Sequence, residues 1–173
     1  NVTAFDKVPV EIKRMIDCSS VVGIGPMATV AGVFAESVGK KVLEISNEVI
    51  VENGGDLFIA VNEDCRVSLF PGKNSPFYNK IKLNIKAELT PLGICSSSGV
   101  MGPSLSEGKA DLVTVVAESV PLADGAATAI ANKIKTSEDI TFAMNWGKKI
   151  DGVTGLVLIK DDKIGAWGTI EFV

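Results

Sequence analysis

Asp124 and Thr128 are the one acid and the one hydroxyl in Pro121-Leu-Ala-Asp-Gly-Ala-Ala-Thr-Ala-Ile-Ala131, a run otherwise made of small and apolar residues. The pattern predicts a helix, and a spacing of four puts both oxygens on the same helical face. A carboxylate and a hydroxyl together suit a hard cation such as Mg2+, and the surrounding alanines leave room beside them for a bulky ligand. The same residues also have structural readings. Asp124 can complement a helix dipole from the first turn, and Thr128 can bond back to the carbonyl four residues earlier.

Two further stretches carry chemistry. In Glu52-Asn53-Gly54-Gly55-Asp56 two acids flank glycines that let a ligand or another backbone approach closely, or that simply make a hairpin turn with polar tips. The loop from Ser96 to Lys109 holds Ser97, Ser98, Gly99, Ser104 and Ser106. Its amides and hydroxyls could meet an anion such as a diphosphate, with Lys109 as a point charge, or it could be a solvated loop. It is no Walker A loop, because the order of Gly, Lys and Ser/Thr is wrong and a strand is expected after Lys109.

Composition narrows the chemistry. The chain has no histidine, which removes histidine general bases, the usual serine and cysteine triads, and His-ligated zinc or iron. A net charge of −4 with scattered lysines argues against a nucleic-acid surface. Cys18, Cys65 and Cys95 are odd in number and far apart, so the expectation is a reduced, cytoplasmic protein with buried free thiols. The uncharged stretch from Cys18 to Ala35 reaches the lower edge of membrane-span length, but Gly23, Gly25 and Pro26 break it, and no span is expected. The chain opens on Asn1 rather than Met, so an N-terminal segment is expected to be missing.

The elements that must position these residues read as α+β, a mostly antiparallel sheet with helices packed on one face, in one domain over 1–173. Phe5 to Asp17 reads as a helix, Ser19 to Gly25 as a short strand and turn, and Pro26 to about Val38 as a helix stopped by Gly39. Met27, Val30, Ala31, Phe34 and Val38 make the expected buried stripe of that helix. Strands are expected at Val49–Glu52 and Leu57–Val61, turned at Asn53-Gly-Gly-Asp56, then at Cys65–Phe70, Lys80–Leu89, Gly93–Ser97 and Ala110–Ala117. The Pro121 helix, a helix around Ser137–Lys149 and a hairpin Gly155–Lys160/Lys163–Phe172 complete the chain. Gly25-Pro-Met-Ala-Thr-Val-Ala and Val120-Pro-Leu-Ala-Asp-Gly-Ala match weakly, which points to two related half-units, each with a strand before its helix and a strand pair after it.

Taken in chain order, the three chemistry-bearing elements resemble the ApbE flavin transferases, and more closely an uncharacterised prokaryotic branch allied to them. Ala123-Asp124-Gly125-Ala126-Ala127-Thr128 is similar to the family's Ala-Asp-x-x-Ala-Thr signature, Gly54-Gly55-Asp56 to its Gly-Gly-Asp turn, and Ser98-Gly99 to its Ser-Gly element. The resemblance implies an ApbE-like (T-fold-like) fold, Mg2+ held by Asp124 and Thr128, and FAD as ligand. The chain departs from the pattern in lacking the family's His-containing segment with Asp-Pro-x-Thr-Gly, and in carrying Glu52 where the family has Asn. Three functions follow: Mg2+-dependent binding or processing of a diphosphate ligand such as FAD, a non-catalytic binding or sensing module on the same fold, or a different enzyme using Cys95 or Lys109. A homodimer is the expected assembly, since sheets with open edges and duplicated half-units often associate.

Overall fold

The computed structural model describes residues 8–100 and 108–173. The first helix is α1, Val10–Val22. A 3-10 turn at Pro26–Thr29 leads into α2, Val30–Val42. The strands β1, Val49–Asn53, and β2, Asp56–Ala60, follow as a hairpin. Next come β3, Cys65–Ser68, β4, Lys82–Ile85, β5, Leu92–Ser97, and β6, Leu112–Ala117. The chain then runs through α3, Val120–Ala131, α4, Ile140–Gly147, β7, Val153–Lys160, and β8, Lys163–Gly168.

Six strands form one antiparallel sheet in the order β1-β2-β5-β6-β7-β8. Alternate residues divide between its faces. Phe58, Cys95, Val113, Val115, Leu156 and Leu158 meet the helices, α3 above all through Ala123, Ala126, Ala127 and Ile130. Ile59, Ile94, Leu112, Val116, Val157 and Ile159 face the other way, against Leu83 and Ile85 of β4 and Leu69 and Ile81 just beyond the β3-β4 pair. Cover on both faces explains why β6 is apolar at every position but Thr114, where a strand with one wet face would alternate.

Of the segment Ser19–Gly25, expected as strand and turn, Ser19 to Val22 instead continues α1, and the turn begins only at Gly23. Ser19 and Ser20 fit the helix by donating their hydroxyls to the Ile16 carbonyl at 3.0 and 2.6 Å. Gly23, at φ 70°, is the left-handed stop, its N–H bonded to Ser19 and Ser20 carbonyls. The part of the expected first helix before residue 8 lies outside the described residues.

The expected stripe of α2 is also corrected. Met27, Phe34 and Val38 are exposed, at 72%, 54% and 48%, while Gly32, Val33, Ala35, Glu36 and Gly39 are buried. Close approach decides which face turns inward. A Cβ on Gly32 would stand 2.8 Å from the Val120 carbonyl oxygen, and one on Gly39 2.1 Å from Phe58 Cδ1. Gly39 is therefore a packing residue inside the helix and not its stop.

Smaller differences concern ends. β4 is shorter than the expected strand, with a 3-10 turn at Ala87–Leu89. Residues beyond Gly168 leave β8, and Phe172 bridges Leu83 on β4. Of the two half-units, each has a strand pair after its helices, but a strand precedes only α3, since α1 stands before α2. The two matched segments pack on each other: a Cβ on Gly125 would be 2.9 Å from Thr29 Cγ2, and Gly32, one residue past the first segment, lies against Asp124. Among the described residues no single helix is long and apolar enough to cross a membrane.

Candidate functional site

At the turn end of the sheet, α2, α3, the β1-β2 turn, β3 and the end of β5 surround a cleft of about 1380 Å³. That exceeds the roughly 300–1,000 Å³ usual for small-molecule sites, so a dinucleotide has room in it. Glu52, Asn53, Gly54, Gly55, Asp56, Ser97, Ser98, Asp124 and Thr128 all line it. The acid-hydroxyl helix and the glycine turn, more than sixty residues apart in sequence, thus meet in one place.

Each member is fixed by its element. The turn is closed by Gly54 at φ 66° and Gly55 at φ 103°, and the Gly55 N–H donates to Glu52 Oε1 at 2.8 Å. Asn53 Nδ2 donates to the Ala31 carbonyl at 3.2 Å, tying the turn to α2. Asp56 opens β2 opposite Asn53 and Cys95, on the helix-covered face. On α3, Asp124 lies beyond the first turn and does not serve its own helix dipole. Its Oδ2 accepts the N–H of Gly32, in the first turn of α2, at 2.9 Å.

Glu36 then sets the depth of α3. The carboxylate is buried, accepts the Val120 N–H at 3.1 Å at the start of α3, and pairs with Arg14 at 2.7 Å and with Lys40. Gly32 and Glu36 stand one helical turn apart, so α2 grips α3 at two polar points.

The electrostatics of the cleft are acidic and poorly compensated. Burial, and next the charge of Asp124, push the Asp56 carboxyl up to about 8, while Cys95 and the Ser96 backbone pull it down. Burial raises Asp124 to about 6 against the Gly32 N–H. Among the described lining residues Arg66, on β3, is the one cation, against Glu52, Asp56 and Asp124. No three His, Cys, Asp or Glu side chains among the described residues form a metal cage.

Several residues sit elsewhere. Gly99 and Lys109 are not part of the lining; Gly99 packs under Gly108, and the exposed Lys109 donates its backbone N–H to the Ile134 carbonyl at 2.7 Å. Ser104 and Ser106 lie outside the described residues. Cys95 is fully buried, donates to the Val120 carbonyl at 3.4 Å, and is pushed well above an ordinary thiol by burial, which rules it out as an exposed nucleophile. Cys18 and Cys65 are half-buried, and Cys65 lines the cleft.

The sequence reading missed the β3 wall of the cleft, Cys65 to Phe70, and the gripping pair Gly32 and Glu36. The only sequence signal for the latter was an acid one turn from Gly32 on the small-residue side of an amphipathic helix.

A family model described as AbpE bacteria matches residues 2–160. The chain belongs to this family. Relatives of similar sequence include UPF0280 proteins of Methanobrevibacter smithii, 39% identical over 92% of this chain and 68% of that protein, and of Methanothrix thermoacetophila, 36% identical over 95% and 69%. The fold is that of the ApbE protein of Thermotoga maritima, with a TM-score of 0.58 at 14% identity over 98% of this chain and 64% of that one. It is shared with the apo flavinyl transferase ApbE of Pseudomonas stutzeri, TM-score 0.55 at 16% identity, over 82% and 50%. The chain therefore spans about two thirds of its family relatives and about half of that flavinyl transferase.

Proposed function

We propose that this chain binds, in the acidic cleft, a divalent cation such as Mg2+ together with a diphosphate-containing ligand of the FAD class. The observation that carries the reading is the charge of the lining. Three acidic side chains against one arginine give a diphosphate no net attraction unless a cation sits between them. The donors fit such a cation: hard oxygens on one face of α3, with Asp124 anchored through one oxygen by Gly32. Mg2+ is usually held by one or two carboxylates plus ligand phosphates, which agrees with the lack of a three-residue cage among the described residues. Asp124 and Thr128 would hold the ion, which when bound would neutralise charge on the diphosphate oxygens.

The protein's own contributions are positional. The Gly54-Gly55 turn leaves open space where side chains would crowd a ligand: no atom lies within 4 Å of a Cβ built on Gly54. Ser97 and Ser98 also line the cleft, with the Ser98 hydroxyl held by the Ala110 carbonyl and the Val100 N–H. The apolar lining from Met27, Ile50 and Phe70 suits a planar ring system. The flavin transferases that share the fold support FAD as the ligand to try first.

Binding without transfer is the second reading, favoured by a chain with no histidine and a buried Cys95. Calorimetric titration of FAD with and without Mg2+, on wild type and Asp124→Ala, tests the reading. Mg2+-dependent binding lost in the variant is expected. Binding that ignores both Mg2+ and the substitution would overturn it. Chromatography of the same mixtures for FMN and AMP separates processing from binding.

A further inference from the structure

We infer that Asp56 supplies the second carboxylate of the cation site, through an oxygen the fold leaves without any partner. The inference rests on the cation reading above and deepens it.

Asp56 Oδ1 is buried with no hydrogen-bond partner, and it is the one such side-chain oxygen among the described residues. The residue is only 6% exposed, yet it lines the cleft. Buried polar groups are nearly always hydrogen-bonded, and buried charges are paired or coordinate metals. For Oδ1 neither holds: Cys95 and the Ser96 backbone reach the carboxyl without satisfying this oxygen, and no ion pair among the described residues reaches Asp56 or Asp124.

The placement is rigid. Asp56 begins a strand paired on both sides, to Asn53 of β1 and Cys95 of β5. The turn behind it is closed by Glu52 and tied to α2 by Asn53. From the helix side Asp124 is held by Gly32, on that same α2. The two carboxylates are close enough that the charge of Asp124 is the second-largest influence on Asp56 after burial. A lone proton on Asp56 removes the charge, but a divalent ion satisfies both carboxylates together and offers its remaining positions to Thr128, water and ligand phosphate.

The arrangement also accounts for the acid in this turn where a neutral residue would close the hairpin equally well. A turn needs positive φ at its centre, which Gly54 and Gly55 supply. It needs no buried carboxylate at the first position of β2.

The test is Mn2+ binding to the metal-free protein, followed by electron paramagnetic resonance with no nucleotide present. It uses wild type, Asp56→Asn, Asp124→Asn and a Glu44→Gln control, with unfolding midpoints measured in EDTA. Wild type should bind Mn2+, and Asp56→Asn should bind at least ~10-fold more weakly while remaining as stable as wild type or more so. Glu44→Gln should bind within about threefold of wild type, since Glu44 is an exposed acid that pairs with Lys41 and is not part of the cleft lining. Asp124→Asn weakened and Asp56→Asn unchanged would overturn the role of Asp56 and leave the Asp124/Thr128 site standing. Wild type that takes up no Mn2+ at millimolar concentration would overturn both.

Discussion

Replacing Asp56 by asparagine keeps the side-chain shape and removes a carboxylate that the folded protein holds with difficulty. In the metal-free protein this group titrates near 8, whereas in the unfolded chain it titrates near its ordinary value of 3.8. The folded state therefore binds the proton more tightly, and wild-type stability must fall as pH rises from about 4 to about 8, then level off. At 1.36 kcal/mol per pH unit of separation the ceiling is about 6 kcal/mol, and relaxation and water entry bring the expected loss to roughly 2–4 kcal/mol. Asp124 titrates near 6 largely through its own burial, so in Asp56→Asn a smaller decline should persist and end near pH 6. Urea unfolding of both proteins in EDTA at pH 5.5, 7 and 9 reads the difference directly. The two proteins should differ least at pH 5.5, where under half of the loss has accrued, and most at pH 9, with the variant the more stable. Parallel curves, or a wild type as stable at pH 9 as at pH 5.5, would refute the claim that Asp56 is buried without compensation. A divalent cation added at pH 8 should recover wild-type stability by RT ln(1 + [L]/Kd) and do little for the variant.

Glu36→Ala should cost about 3–5 kcal/mol in urea unfolding, because it strands Arg14 and leaves the Val120 N–H without its acceptor; Glu36→Gln, which keeps an acceptor, should cost less. Gly39→Ala gains about 1 kcal/mol of helix propensity, yet its Cβ collides with Phe58, so a net loss of roughly 1–3 kcal/mol is expected. Stabilisation by this substitution would mean α2 does not lie as close to β2 as described. In native protein, iodoacetamide followed by mass spectrometry should leave Cys95 unmodified after Cys18 and Cys65 have begun to react, and prompt labelling of Cys95 would contradict its burial.

The sheet was legible because its strands carry their own instructions. Asn53-Gly-Gly-Asp56 specifies a tight turn, Ile81, Leu83 and Ile85 alternate, and β6 is apolar but for Thr114 because it is covered on both sides. The first two helices were less legible. Ser19 and Ser20 read as helix breakers until their hydroxyls are seen bonded to Ile16, and Gly39 reads as a stop until Phe58 is seen against it. The large residues of α2 then point outward because the small ones admit α3, a fact held by Val120, Pro121 and Asp124 rather than by α2 itself. At the site, the spacing of Asp124 and Thr128 and the acids around the glycine turn were visible as local patterns. Their meeting was not, since no local rule joins residue 56 to residue 124. The β3 wall escaped for the same reason, as it arrives from a strand pair folded over the far face of the sheet.

The grip of α2 on α3 spans 92 residues at Gly32–Asp124 and 84 at Glu36–Val120. Contacts this distant close only after the chain between them has folded, which makes them late events with a high entropic cost of closure. Cleft and fold are therefore completed together. A fragment ending before α3 has no weaker version of the site, and a ligand of this cleft can select the finished protein but cannot nucleate it. Bound ligand should accordingly slow unfolding more than it speeds folding, so that binding reports on the integrity of the whole chain.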